Sequence, residues 1–201
     1  NLTALAAVLP AYFASFVVGT DGLEVAGIKT SATAVWAFVL ALASFIAFIF
    51  APVLGAIADF SAAKKRFLLA FAYGGALFTT LLYFCGAGDV YLTLLLFLLA
   101  QVGYICSLIF YDAFIIDIAD PQRMDWISGK GYSYGYVGGG LQFALSLALV
   151  TAHDYVGISQ QTAMRISLST AGLWWAGFSL FTLKYLQERN GPRKTTRLWE
   201  Y

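Results

Sequence analysis

Four polar side chains within one apolar stretch are the first sign of chemistry in this sequence: Gln101, Tyr104, Tyr111 and Asp112. A helix turns about 100° per residue, which places all four within about 100° of one face. An ionisable group in lipid costs roughly 2.5–3.5 kcal/mol on insertion scales, so such groups turn toward a polar interior. Two uses fit the stripe. It is either a substrate or proton pathway, with the protonation of Asp112 coupled to movement, or a structural hydrogen-bond network with a neighbouring helix. A second stripe follows. Gly131, Gly135, Gly138, Gly139, Gln142 and Ser146 also fall within about 100° of one helical face. Small residues four apart admit a neighbouring backbone closely, so the glycines read first as a helix-packing surface. Gln142 is then a candidate to line the pathway. Gly138-Gly139-Gly140 follows no strand, which argues against a nucleotide-binding loop.

Another constellation sits where two apolar runs nearly meet, in "APVLGAIADFSAAKKRFL". Asp59 precedes Lys64, Lys65 and Arg66, and Gly55 stands one turn before Asp59. The bases suffice to orient a membrane protein, but acids contribute little to orientation, so Asp59 needs another reason. A carboxylate there can accept charge-assisted hydrogen bonds from bases or from a helix N-terminus. Gly55, Asp59, Lys64, Lys65 and Arg66 are therefore candidates for a conformational latch. Asp117 lies nearly opposite Asp112 on the helical wheel and is either an exposed interfacial charge or a further member of that latch. His153 is the one histidine, and Cys85 and Cys106 sit inside apolar runs as small buried hydrophobes. No metal-ligand cluster and no nucleophile–base pair is visible, so no cofactor, no metal and no enzymatic activity are expected.

These residues need a scaffold, and composition names its solvent. The chain is 11% charged and 60% hydrophobic, against about 25% and 45–50% in ordinary globular domains. That much apolar surface belongs in a bilayer. Six runs approach the roughly 20 apolar residues of a spanning helix: 2–19, 32–58, 67–86, 91–118, 132–151 and 162–185. They are continuous rather than alternating, which favours helices over a strand barrel. The expected fold is all-α: a polytopic bundle of six transmembrane helices over residues 1–186, its first helix truncated, and a tail at 187–201. Of the 12 lysines and arginines, all but Lys29 and Arg165 fall on one side of the implied topology. That side is cytoplasmic and holds both ends. The bases are not pooled on a polar domain, so nucleic acid is not an expected partner; the lipid bilayer is. Tyr132, Tyr134, Tyr136 and Trp126 read as an aromatic belt, Arg165 as a snorkelling anchor, and Pro10 and Pro52 as kinks within spans.

Several stretches resemble one branch of the major facilitator superfamily. Gly55, Asp59 and the basic cluster are similar to its loop between helices two and three, although Phe60 stands where an arginine is usual and Ala62 where a glycine is. "FYDAFIIDIADPQRMDWISGKGYSYGYVGGG", residues 110–140, together with "LPAYFAS" and "LGAIADF", resembles the "unknown major facilitator" family, related to autophagy-linked vacuolar amino-acid effluxers. The resemblance covers the first six of twelve helices. It implies a 3+3 inverted repeat and a C-terminal six-helix half of the same chain as partner. It also implies transport of a small-molecule substrate, an amino acid among the candidates, by rocking of one half against the other. The run from Arg189 to Lys194 would begin the link between halves. The plasma membrane is the first expected location and the vacuolar membrane the alternative. A stand-alone six-helix channel or carrier acting as an oligomer is the competing reading.

Overall fold

In lipid every backbone polar group has to be satisfied within its own segment, so continuous apolar runs become helices. The computed structural model describes residues 2–19, 23–25, 28–60 and 63–186. Helix α1, Leu2–Tyr12, runs into a π-helical segment, Phe13–Val18. A short antiparallel hairpin follows, β1 (Leu23–Val25) and β2 (Ile28–Thr30). Then come α2 (Ala32–Phe60), α3 (Lys64–Leu81), α4 (Val90–Ala113), the short α5 (Ile115–Ile118), α6 (Met124–Thr151), the short α7 (His153–Val156) and α8 (Gln160–Tyr185).

Helix starts follow local chemistry. The Ser31 hydroxyl accepts from Ala34 N–H ahead of α2, and the Ser159 hydroxyl from Thr162 N–H ahead of α8, each satisfying a donor that the first turn leaves orphaned. Pro121 opens a 3-10 turn over Pro121–Arg123. The chain re-enters helix at Met124, eight residues before the expected start of the fifth run. The polar Ser128-Gly129-Lys130 stretch, outside the fifth apolar run, is helical.

Among the described residues, four helical segments are long and apolar enough to cross a membrane: Ala32–Ile57, Lys64–Phe84, Val90–Ile118 and Gln160–Tyr185. Ala6–Val18 is a shorter apolar helix. Helix α6 has 28 residues, but glycines and tyrosines dilute the apolar content of its first half. The exterior is greasy: Phe38 and Phe48 on α2 are 67% and 75% exposed, and Phe181 on α8 is 60% exposed. Faces of that kind require a lipid solvent.

The order of packing is informative. Helix α4 packs on α2 and α3, α1 packs on α6 and α8, and α3 packs on α8. Exchanging the first three long segments with the last three, so that α1, α2 and α3 trade places with α4, α6 and α8, maps this pattern onto itself. Two inverted three-helix repeats would pack in this way.

Two apolar cores occupy opposite ends of the bundle. One gathers Tyr12, Phe13, Trp36, Phe97, Leu82 and Leu168, with the Trp36 and Phe97 rings stacked 3.9 Å apart. The other gathers Leu54, Leu68, Cys106, Phe110 and Phe114. Cys85 and Cys106 are free and buried. Helices α3 and α4 approach closely, where a Cβ on Gly103 would stand 2.9 Å from Gly75 Cα and 2.9 Å from Phe71 O. Arg165 departs from the expected snorkelling anchor: its Nε donates to the buried Tyr12 hydroxyl at 2.8 Å, and that hydroxyl donates to Cys85 O at 2.6 Å. The guanidinium thus ties α8 to α1 and to the end of α3, because a buried phenol oxygen lies within its reach.

Candidate functional site

Helix α4 carries the polar stripe, and its C-terminal end decides where the stripe opens. The helix breaks at Phe114, whose N–H bonds back to Tyr111 O at 3.1 Å. Asp112 is left at the edge of the bundle, facing α6. The Tyr132 hydroxyl donates to both oxygens of its carboxylate, at 3.0 and 3.3 Å. Around them lies a cavity of about 470 Å³, lined by Tyr111, Asp112, Phe114, Ser128, Tyr132, Thr182 and Tyr185 with isoleucines and Leu186. Tyr111, Tyr132 and Thr182 also belong to a second cavity, of about 650 Å³, between α3, α4, α6 and α8. Its wall is aromatic: Tyr104, Tyr134, Tyr136, Trp174, Trp175 and Phe178, with Ser107 and Ser179 as small polar groups. The Tyr104 and Trp175 rings meet edge to face at 6.0 Å, and the Tyr111 and Tyr132 rings at 6.5 Å.

Tyr104 thus lines the larger cavity, Asp112 the smaller, and Tyr111 both of these adjoining hollows. Gln101 and Gln142 line neither cavity. Gln101 is buried on α4 one turn earlier. Gln142 is buried in the seam between α6 and α8, where its Nε2 donates to Ser146 Oγ at 2.9 Å and to Ser167 O at 3.5 Å. Its Oε1 is buried without a partner among the described residues.

The glycine stripe of α6 divides in two. A Cβ at Gly131 would press on the Tyr111 hydroxyl at 2.5 Å, whereas one at Gly135 or Gly138 would meet nothing within 4 Å. Gly135, Gly138 and Gly139 border the larger cavity. Glycine-mediated helix contact lies instead at Gly75, Gly103 and Gly172, the last set against Ala76 O and Thr80. Sequence reading missed these three because spacing on one helix does not say which face a neighbour will meet.

At the α3 and α5 ends of the bundle, Lys64 Nζ lies 3.1 Å from Asp117 Oδ2, with side-chain exposures of 10% and 1%. The pair is buried, so Asp117 is not an exposed interfacial charge. Lys65 Nζ donates to Leu186 O at 2.7 Å and holds the end of α8. Arg66 is exposed, and Gly55 is half-buried with open space where a Cβ would go. The side chain of Asp59 and the tail beyond Leu186 lie outside the described residues. His153 Nδ1 sits 3.1 Å from Ile158 O and 3.1 Å from an Asp154 carboxylate oxygen, closing the turn before α8. Among the described residues no group of three potential metal ligands gathers.

A polytopic α-helical protein with a hollow between its helices and a carboxylate at the hollow's edge has the plan of a membrane transporter. The chain belongs to the family described as vacuole effluxer Atg22 like, which matches residues 17–200. It is 28% identical over 191 residues to an uncharacterised major-facilitator-type transporter of Bacillus subtilis (strain 168), YxiO, covering 94% of this chain and 44% of the relative. It is 29% identical over 84 residues to autophagy-related protein 22 of Botryotinia fuckeliana, covering 42% of this chain and 14% of the relative. Autophagy-related protein 22-1 of Sclerotinia sclerotiorum matches to the same extent. The chain thus spans less than half the length of these curated relatives. No solved structure matches. The family and the Bacillus relative are described by transport rather than by an enzymatic activity, and the long apolar helices make this chain an integral membrane protein.

Proposed function

We propose that these residues form the N-terminal six-helix half of a secondary transporter that moves a small solute by rocking against a C-terminal half, with both ends of this segment in the cytoplasm. The observation that carries the reading is the exchange of packing partners between α1, α2, α3 and α4, α6, α8, which suits a repeat-built carrier. Asp112, Tyr104 and Tyr111 line the solute path, and protonation of Asp112 couples the movement to a proton gradient. Gly55, Asp59 and the Lys64–Asp117 pair, with Lys65 and Arg66, latch the cytoplasmic end in one conformation. Amino acids are the first solutes to try, because the branch that the sequence resembles is related to autophagy-linked vacuolar amino-acid effluxers. The placement of the bases fits the plasma membrane or the vacuolar membrane equally.

The test is flux from proteoliposomes of the full-length protein loaded with an amino-acid mixture and followed by mass spectrometry. We expect saturable efflux that accelerates when the same solute is supplied outside, depends on an imposed pH gradient, and is lost or uncoupled in Asp112→Asn. Non-saturable flux without counterflow would favour the oligomeric channel. Unchanged pH-dependent flux in Asp112→Asn would remove that carboxylate from the mechanism.

A further inference from the structure

The lining of the two adjoining cavities is chemically one-sided. Among the described residues it holds one carboxylate, Asp112, and no lysine, arginine or histidine. Among the described residues the carboxylate makes no ion pair; the neutral Tyr132 hydroxyl is its hydrogen-bond donor. Beside it in the smaller cavity stand four aromatic rings, of Tyr111, Phe114, Tyr132 and Tyr185. A ring face attracts a cation within about 6 Å of its centroid, more strongly when water is excluded. Two bases lie close along the chain to the lining: Lys130 Nζ is held 4.1 Å from the ring centroid of Trp126, outside the lining, and Lys184 Nζ lies 5.3 Å from that of Tyr185, a ring of the smaller cavity. Aromatic faces at this end of the bundle thus already hold ammonium groups of the protein's own side chains.

We infer that the Asp112 cavity is a binding site for an organic ammonium ion whose apolar body extends into the larger aromatic cavity. This rests on the transporter reading above and narrows its solute class. The acid supplies charge, and the rings of Tyr111 and Tyr132 supply faces that do not need the ligand to donate a hydrogen bond. Quaternary and protonated amines are therefore both admitted. From Asp112 back to Tyr104 is eight residues of helix, about 12 Å along its axis, so the body that fits is aromatic or branched and several carbons long. A combined volume of this order is usual for drug-sized ligands. An anion would meet Asp112 with no base in the described lining to offset it. A zwitterionic amino acid would find a partner here for its ammonium, and its carboxylate would need a base from outside this lining.

The experiment is calorimetric binding to the full-length protein in detergent with three probes of matched size: phenyltrimethylammonium, neutral tert-butylbenzene and benzenesulfonate. Wild type should bind the cation at least tenfold more tightly than either of the others. Asp112→Asn should weaken the cation at least tenfold and leave tert-butylbenzene within twofold. Tyr111→Leu should weaken the cation threefold or more, with Tyr111→Phe falling between it and wild type, because the ring rather than the hydroxyl carries the attraction. Benzenesulfonate binding as tightly as the cation in wild type would overturn the inference without any variant. Undiminished cation binding by an Asp112→Asn protein that runs monodisperse would overturn it as well. Cation binding without flux would leave the site intact and sink the transporter reading. Flux of an anion with no cation binding would do the reverse.

Discussion

The Lys64–Asp117 pair is where a single side chain has the largest leverage on stability. Both groups are buried, so the desolvation of each is offset by the other and by the remaining contacts of the site. Lys64→Met removes the positive partner from a carboxylate that is 1% exposed. We expect it to lower unfolding stability by about 3 kcal/mol, the usual scale for breaking a buried pair. Adding Asp117→Leu should return part of that loss, because no uncompensated charge then stays inside. Thermal unfolding of the two variants in detergent measures both effects, and a double variant less stable than the single one would show that the pair does not act as a unit. At the neighbouring position Lys65 the expected effect is smaller, since its ammonium bonds a half-exposed carbonyl at the end of α8.

Elements differ in how tightly they are joined, and the glycines mark the difference. Gly103→Ala would drive a methyl group into Gly75 Cα and Phe71 O, both 2.9 Å away and both backbone. Backbone cannot rotate aside, so α3 and α4 have to separate; overpacking of this kind costs roughly 1–3 kcal/mol. Gly138→Ala meets open space and removes a residue about 1 kcal/mol worse than alanine in a helix. We expect Gly103→Ala to lower the thermal midpoint and Gly138→Ala to hold or raise it; equal losses in both would mean that α6 packs closely after all. The same contrast shows what a sequence conveys at this scale. Six runs, their approximate ends and the stripe through Tyr104, Tyr111 and Asp112 were legible, because apolar length and the 100° turn depend on one segment alone. The Gly75–Gly103 approach, the bond from Arg165 to Tyr12 and the pairing of Lys64 with Asp117 depend on which face meets which neighbour, across separations as long as 153 residues. The early start of α6 was hidden by Ser128, Gly129 and Lys130, polar or flexible types that suit a loop and are tolerated in the first turns of a helix.

For the whole molecule, topology and mechanism stand or fall together. If the segments cross alternately, the turn before α6 lies on the base-rich side and the turn before α8 lies on the other. Gln122 and Ser159 are exposed residues in those turns, and the native Cys85 and Cys106 are free and buried. In a Cys85→Ala, Cys106→Ala background, Gln122→Cys in intact cells should resist a membrane-impermeant maleimide until the membrane is opened, whereas Ser159→Cys should label at once. One additional long segment, α6, separates the two sites, so labelling from the same side would mean that α6 does not cross. Its diluted apolar content makes that the critical segment, because its neighbours α4 and α8 meet the length and composition of a span on their own. A non-crossing α6 would also break the exchange of α2 for α6 that relates the two halves of the packing pattern, and with it the basis for a repeat-built carrier. Opposite labelling with an impermeant reagent would instead place the Asp112 cavity, which lies near the α5 end of α4, toward the cytoplasmic face, where a solute would be released or captured.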